Sequence, residues 1–164
     1  MMTEEDRVKL IDFLDRHVDT QILTQAEIRA FLEYCDFYEI KNGQTIADIG
    51  EVGESLYFLL EGTAELVVGP KNNEVRVGQI HAGEMLGEMS FFDRQPRNVR
   101  LKSRQAVKLL RLPRVKYNRL RLEYPIFTVL LLEYAIVSLD HLYRRTTTDV
   151  AQLNQYIHNI GKSG

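Results

Sequence analysis

Glycine is unevenly distributed along this chain of 164 residues, and its distribution limits the folds available. Eight of the ten glycines lie between Gly43 and Gly87, whereas residues 1–42 and 88–160 contain none. Closely spaced glycines are typical of turns between short strands, and long glycine-free segments permit helices. Because 45% of the residues are hydrophobic and 27% are charged, the chain can bury a core. We therefore predict a mainly β fold with flanking helices.

The middle of the chain consists of short runs rich in Ile, Val, Leu, Phe and Tyr, many of them closed by glycine. From residue 37 onward these runs predict about seven or eight strands. The clearest runs are 45–49, 55–60, 63–68, 74–80, 99–102 and 106–112. Many short strands separated by turns indicate a sandwich or a barrel. The predicted organisation is N-terminal helices over 1–36, one β domain over 37–112 and C-terminal helices over 113–164.

Helical patterns precede the β segment. Apolar residues recur at helical spacing over 4–17, which predicts an amphipathic helix. A second helix is predicted to begin at Thr24, because Glu27 three residues later completes a capping box. The single cysteine, Cys35, lies in an apolar stretch and is predicted to be a buried structural thiol.

The C-terminal segment predicts one long helix. No proline or glycine interrupts residues 126–160, and about 35 helical residues extend about 50 Å. This length exceeds what the small β domain can cover, so we expect the excess to pack on a second copy of the chain. A local kink is expected at the threonine run 146–148. Apolar spacings of three and four predict the coiled-coil seam Ala135, Leu139, Leu142, Thr146, Val150, Leu153, Ile157 and Ile160.

Charge and composition exclude several classes of function. The formal net charge is -2 and the sequence pI is about 6.1, so the general electrostatic footprint of a nucleic-acid binder is missing. No uninterrupted run of about 18 apolar residues occurs, and the acidic N-terminus does not resemble a signal peptide. We therefore predict a cytoplasmic protein with no membrane partner. Only His81 of the four histidines lies in the β segment, so no metal site is predicted.

The segment 83–99 carries the residues most suited to binding an anion. Gly83 and Gly87 precede a short helix start whose backbone amides can face an anion. Glu88 accepts hydrogen bonds when ionised, which suits a ribose hydroxyl, and the Arg97 guanidinium can pair with two phosphate oxygens. These features indicate a site for a phosphorylated sugar. Spacing alone equally allows Glu88 and Arg97 to form a salt bridge that closes the loop.

Three motifs, in this order and spacing, resemble the cyclic nucleotide-binding domain family. They are GEVGESLYFLLEG at 50–62, GE at both 83–84 and 87–88, and PR at 96–97. The family includes the regulatory domains of cyclic-nucleotide-dependent kinases, gated channels and bacterial catabolite activator proteins. The resemblance runs from about Ile40 to Tyr143. It implies a double-stranded β-helix (jelly-roll) barrel with N-terminal helices and a long C-terminal helix.

The resemblance also implies roles for the residues of a phosphate-binding cassette that begins at Gly87. Glu88 would take the ribose 2′-hydroxyl, and Arg97 would pair with the cyclic phosphate. Backbone amides at the start of the short helix and at the end of the cassette would complete the cradle. These amides belong to Met89, Ser90 and either Asn98 or Val99.

Three positions differ from the family pattern. Ser90 stands where alanine is usual, a small change that the cradle should tolerate. Asn98 stands where alanine or threonine is usual, and its amide can both donate and accept, so the preference between cAMP and cGMP stays open. Arg100 replaces a small polar residue and either adds positive charge near the site or faces solvent.

In the family, a residue of the long C-terminal helix caps the base, often from the partner subunit. The matching position in this chain is Leu142-Tyr143. Tyr143 has an aromatic ring that can stack on a purine and a hydroxyl that can bind it. The alternative is that Tyr143 packs in the seam of a dimer.

The resemblance implies a regulatory sensor and not an enzyme. The sensor would bind cAMP or cGMP without a metal, form a homodimer through its C-terminal helix and relay the signal to a protein partner of unknown identity. The alternative is a ligand-free dimerisation or docking module on the same fold. About 20 residues after Tyr143 are too few for a helix-turn-helix domain, so no direct nucleic-acid binding is predicted.

Overall fold

The computed structural model describes Glu4, Val8, Ile11 and residues 24–162. The three isolated residues are helical, and the rest of the helix predicted over 4–17 lies outside the described residues. Within 24–162 the helices are α1 (Gln25–Glu33), α2 (Glu88–Asp93), α3 (Arg114–Glu123) and α4 (Pro125–Lys162). The strands are β1 (Asp36–Ile40), β2 (Thr45–Ala47), β3 (Ser55–Glu61), β4 (Thr63–Val68), β5 (Val75–His81), β6 (Met85–Leu86), β7 (Arg100–Ser103) and β8 (Val107–Pro113).

These strands form two antiparallel sheets of four strands each. The first has the order β1-β8-β3-β6, and the second has the order β2-β7-β4-β5. The predicted mainly β fold with flanking helices and a long C-terminal helix is confirmed. The ladders of the described strands make two separate sheets, so closure into a jelly-roll barrel stays a prediction.

Predicted and observed strands agree closely. The run predicted over 63–68 is β4, and the other five runs differ from their strands by one or two residues. Strand β6 was not expected, because two residues are too few to show alternation. It exists because Met85 and Leu86 pair with Phe58 and Tyr57 of β3.

The capping box predicted at the start of α1 is confirmed. The backbone amide of Glu27 donates to the Thr24 hydroxyl at 3.3 Å, and the amide of Thr24 donates to the Glu27 carboxylate at 2.8 Å. Two amides that have no partner within the helix are thereby satisfied. The apolar face of α1 is fixed against the first sheet, with Ile28, Phe31 and Leu32 buried.

Two clusters of buried apolar side chains stabilise the fold. The first joins α1, the β1-containing sheet, α3 and α4, and the second lies between the two sheets. In the first, Phe31 packs edge-on to Phe58 and stacks on Phe127 of α4, with ring centroids 5.8 and 4.6 Å apart. Cys35, predicted to be buried, is only partly buried where it packs against the same cluster. Loss of hydration there raises the pKa of its thiol. The start of α4 is therefore part of the core.

Helix α4 runs unbroken over 38 residues and is about 57 Å long at 1.5 Å per residue. The expected kink at 146–148 is wrong. The hydroxyls of Thr146, Thr147 and Thr148 each donate to the carbonyl four residues earlier, at 2.8–2.9 Å. These bonds satisfy the hydroxyls without interrupting the helical ladder.

One helix of the described chain, Pro125–Gly161, is long and apolar enough to cross a membrane by length and composition. In its most apolar window, 39% of the residues are buried inside the protein. Phe127, Leu131 and Tyr134 of this helix belong to the first core cluster. A core helix passes the same test, so this is weak evidence, and the expected absence of a membrane partner stays a prediction.

Seven of the ten exposed large apolar residues of α4 follow a heptad repeat. Five of them, spaced by seven and each more than half exposed, are Val129, Ile136, Tyr143, Val150 and Ile157. A second row, three residues further along, is Leu132, Leu139, Thr146, Leu153 and Ile160. We call these ten residues the α4 stripe. The predicted seam is wrong at two positions: Ala135 is buried in the first core cluster, and Leu142 packs towards Gly78 of β5.

Candidate ligand-binding site

Seven of the eight predicted site residues line one cavity of about 200 Å³. They are Gly87, Glu88, Met89, Ser90, Arg97, Asn98 and Val99. The facing wall is apolar and includes Leu66, Ile80 and Leu101 from the second sheet, together with Leu142 from α4. The site therefore has one polar side, built by the segment 87–99, and one apolar side.

The polar side begins at Gly87, which precedes α2 with a φ of 85°. Glycine enters this left-handed region without the steric cost that a side chain brings. A Cβ at this position would lie 3.2 Å from both Tyr57 Cδ2 and Arg97 Nη2. Glycine is therefore needed both for the turn into α2 and for the close approach of the guanidinium to the backbone.

The backbone of Arg97 is held by the turn between β2 and β3. The Arg97 amide donates to the Glu51 carbonyl at 2.9 Å, and the Gly50 amide donates to the Arg97 carbonyl at 2.8 Å. Val52 and Pro96 form an isolated antiparallel bridge beside them. The GEVGE motif thus positions the arginine, although the two segments are more than 40 residues apart in sequence.

Ser90 joins α2 to the same turn. Its hydroxyl accepts from the Gly53 amide at 2.7 Å and donates to the Gln95 carbonyl at 2.6 Å. A Cβ at Gly53 would lie 2.7 Å from the Phe91 amide nitrogen, so the two backbones are in direct contact. The serine that departs from the family pattern therefore fixes the shape of the cassette.

Arg114, at the start of α3, reinforces this contact. Its Nη2 donates to the carbonyls of Gly53 and Phe91 at 2.6 and 2.5 Å, and its guanidinium lies 4.0 Å from the Phe91 ring centroid. The cassette helix is thus attached to the C-terminal helices as well as to the sheet. No sequence motif pointed to Arg114, because its partners are backbone atoms distant in sequence.

Glu88 and Arg97 are both buried at the cavity, with relative exposures of 4% and 9%. No ion pair within 4.0 Å joins them, although both lie in the described part of the chain. Glu88 Oε2 and Arg97 Nε are buried without any hydrogen-bond partner. The alternative that these residues form a loop-closing salt bridge is therefore wrong for this structure.

Burial raises the pKa of Glu88 to about 7, against the lowering effects of its own backbone amide and of the Arg97 charge, while Glu84 raises it further. An isolated carboxylate loses hydration when it is buried, which favours its neutral form. A hydroxyl donor placed at the free oxygen would favour the ionised form instead. The protonation of Glu88 is thus sensitive to whatever occupies the cavity.

Helix α4 contributes Leu142 to the cavity and not Tyr143. The Tyr143 side chain is 71% exposed and belongs to the α4 stripe, so within one chain it is not brought to the site. Leu142 faces inward, and a Cβ at Gly78 would lie 3.3 Å from Leu142 Cδ1. Helical spacing could have indicated that Leu142 faces inward. Leu142 lies seven positions after Ala135 and four after Ser138, both buried, and residues at these spacings share one side of a helix.

Arg100 neither lines the cavity nor faces open solvent. Its side chain is 7% exposed and forms ion pairs of 2.7 Å with both Asp48 and Glu74. These partners place it in a charge network beside the second sheet. Across the described residues, no group of three or more His, Cys, Asp or Glu side chains is arranged to hold a metal ion.

Two facing sheets enclose a cavity with one polar and one apolar side, and a long helix lies across its apolar wall. The model of the family described as cyclic nucleotide-binding domain matches residues 38–124. This chain therefore belongs to the cyclic nucleotide-binding domain family. Domains of this family are regulatory and not catalytic.

Individual relatives and structures agree with this assignment. Lysophospholipase NTE1 of Pyricularia oryzae is 28% identical over 95 residues, which cover 57% of this chain and 6% of that protein. The chain spans so little of that relative that their similarity concerns this domain alone. The cyclic nucleotide-binding domain from Methylobacillus flagellatus superposes with a TM-score of 0.77 at 17% identity, covering 90% of this chain and 84% of that one.

A third similarity is to the regulatory domain of Toxoplasma gondii PKA, whose structure was determined with cAMP. It superposes with a TM-score of 0.61 at 20% identity, covering 73% of this chain and 46% of the other. At this level of identity, both structural similarities establish the fold.

Proposed function

We propose that this chain is a regulatory sensor that binds a cyclic nucleotide, cAMP or cGMP, between the cassette 87–99 and helix α4. The observation that carries the proposal is the pair of buried, unpartnered polar atoms Glu88 Oε2 and Arg97 Nε at one cavity. A buried charge without a partner is costly, and such groups occur where a ligand supplies the missing contacts.

The chemistry of these two groups fits a ribose cyclic phosphate. Ionised Glu88 accepts a hydrogen bond from the 2′-hydroxyl, and Arg97 binds the cyclic phosphate through its charged donors. The backbone amides of Met89, Ser90 and either Asn98 or Val99 complete the phosphate contacts. A base then lies against the apolar side of the cavity.

Few polar side chains of the cavity are placed to distinguish an adenine base from a guanine base. The apolar side is formed by Leu66, Ile80 and Leu142, which contact any purine through its faces. Gln95 and Asn98 are exposed side-chain amides at the cavity, and each both donates and accepts. The proposal therefore includes both nucleotides as ligands.

The α4 stripe supports a homodimer through the C-terminal helix. β-branched residues occupy four of the five positions in its first row, and leucine or isoleucine occupies four of the five in its second. This combination at the a and d positions of a heptad repeat favours two parallel helices. Because α4 contacts both the cavity and the proposed partner helix, it is the element that relays binding to a protein partner.

Binding of each nucleotide by isothermal titration tests the sensor. We expect micromolar binding by the wild-type protein and a loss of at least about 30-fold in Arg97→Gln, which removes one side of a charged contact worth about 2 kcal/mol or more. Arg104→Gln is the matched control, since Arg104 is exposed and pairs with Glu65. If neither nucleotide binds at micromolar concentration and Arg97→Gln changes nothing, the ligand-free dimerisation or docking module replaces the sensor.

A further inference from the structure

Helix α4 is attached to the segment that leads into the cassette by three successive side-chain contacts. The Tyr134 hydroxyl donates to the Gly83 carbonyl, and the Ser138 hydroxyl accepts from the Met85 amide at 2.9 Å. Further along, Arg145 donates to both carboxylate oxygens of Glu84, at 2.6 and 2.8 Å. The three partners on the β side are consecutive residues.

The Glu84–Arg145 contact is a well-formed ion pair whose carboxylate is shielded from water. Glu84 is 9% exposed, and its Oε2 also accepts from the His81 amide at 2.8 Å. Arg145 Nη2 additionally donates to the Gln79 carbonyl at 2.9 Å. Pairs with two parallel donors and restricted access to water hold a fixed geometry better than single, exposed pairs do.

This ion pair lies towards the C-terminal end of the part of α4 that packs on the second sheet. Residues 147–161 are all exposed. Leu142, which forms part of the apolar side of the cavity, lies between Ser138 and Arg145 on the same face of the helix. The position of Leu142 over the cavity is therefore fixed on its C-terminal side by Arg145.

We propose that Arg145 is a positioning residue for the base of the ligand. Through its ion pair with Glu84, it keeps α4 docked so that Leu142 covers the apolar side of the cavity, without touching the ligand itself. The inference rests on the proposed function and adds a specific consequence. Arg145 controls the part of the affinity that comes from the base, whereas Arg97 controls the part that comes from the phosphate.

The test compares Arg145→Gln with Arg144→Gln, which removes the same charge from an exposed neighbour paired with Asp140. Kd and dissociation rate are measured with cAMP and cGMP. Binding of methyl riboside 3′,5′-cyclic phosphate, which has no base, is measured by competition. We expect Arg145→Gln to weaken binding of the nucleotides about 10-fold through faster dissociation, because covering the base with Leu142 is worth about 1.5 kcal/mol. Affinity for the base-free compound stays unchanged in both variants.

A double-mutant cycle with Leu142→Ala tests whether Arg145 acts through Leu142. Once Leu142 is removed, Arg145→Gln should cause no further loss of nucleotide affinity. Amide hydrogen exchange without ligand supplies a second readout. Arg145→Gln, and not Arg144→Gln, should accelerate exchange in 134–146.

Four results would overturn the inference: unchanged nucleotide affinity in Arg145→Gln, an equal loss for the base-free compound, additive losses in the cycle, or unchanged exchange in 134–146. These four results test the role of Arg145 when the wild-type protein binds nucleotide. Absence of binding by the wild-type protein overturns the proposed function and this inference together.

Discussion

Glu88 and Arg97 carry opposite charges at one buried cavity, yet no ion pair joins them. Each is positioned by its own backbone environment: Glu88 by the turn at Gly87 and the start of α2, and Arg97 by hydrogen bonds to residues 50 and 51. Glu88 Oε2 and Arg97 Nε are thus two unsatisfied polar atoms in a low-dielectric site. Such an arrangement lowers stability and favours a ligand that pairs with both.

Glu88→Gln should stabilise the unliganded protein in a pH-dependent manner. The pKa of Glu88 is raised from its ordinary value of 4.5 to about 7, so between these values the folded state holds a proton that the unfolded state has lost. The free energy of unfolding of the wild type should therefore fall, relative to Glu88→Gln, as pH rises from 4.5 to 7, by up to about 3 kcal/mol. Urea unfolding of both proteins from pH 4 to 8 measures this difference. A constant difference over that range would contradict the prediction.

Gly87→Ala should reduce both stability and nucleotide affinity. A side chain at a positive φ costs about 1 kcal/mol, and the new Cβ would be 3.2 Å from Arg97 Nη2. Gly43→Ala is the control, because Gly43 has a φ of 77° and open space at the Cβ position. Thermal unfolding should show a loss in both variants, whereas titration should show weaker binding in Gly87→Ala alone. Equal affinity in the two variants would contradict the role given to Gly87.

Ser90→Ala should weaken nucleotide binding by loosening the cassette. It leaves the buried Gly53 amide and the Gln95 carbonyl without a partner, which costs about 1–3 kcal/mol of stability. Ser103→Ala is matched to it, since the Ser103 hydroxyl is buried, accepts from the Gln44 amide at 3.0 Å and donates to the Lys41 carbonyl at 2.6 Å. Both variants should lose stability in urea, and only Ser90→Ala should lose affinity. Unaltered affinity in Ser90→Ala would mean that its hydrogen bonds have no part in shaping the site.

Val150→Lys should dissociate the proposed homodimer. Val150 lies in the α4 stripe and is 52% exposed in the single chain, so a lysine there would place two like charges at the centre of a parallel pair. Gln155→Lys adds the same charge on the opposite side of the helix and should leave the dimer intact. Sedimentation velocity over a range of protein concentrations distinguishes the two variants. A monomeric wild-type protein, or an unaffected Val150→Lys dimer, would exclude this interface.

Features that depend on neighbouring residues could be predicted from the sequence. The glycine-closed runs became strands within one or two residues, and Thr24 and Glu27 form their capping box. The contiguous segment 87–99 lines one cavity, as its motifs implied. These features follow from local periodicity, turn chemistry and residue type, all of which are visible in a linear chain.

The sequence by itself therefore determined the mainly β class, the family and the residues that line the polar side of the cavity. The tertiary structure decided that Glu88 and Arg97 stay apart, that Leu142 and not Tyr143 enters the cavity, and that Arg145 binds Glu84. The physical reason is sequence separation. Whether two charged groups meet depends on the packing of elements distant along the chain. The phase of a helix indicates which of its sides is buried, but it does not indicate which cavity that side covers.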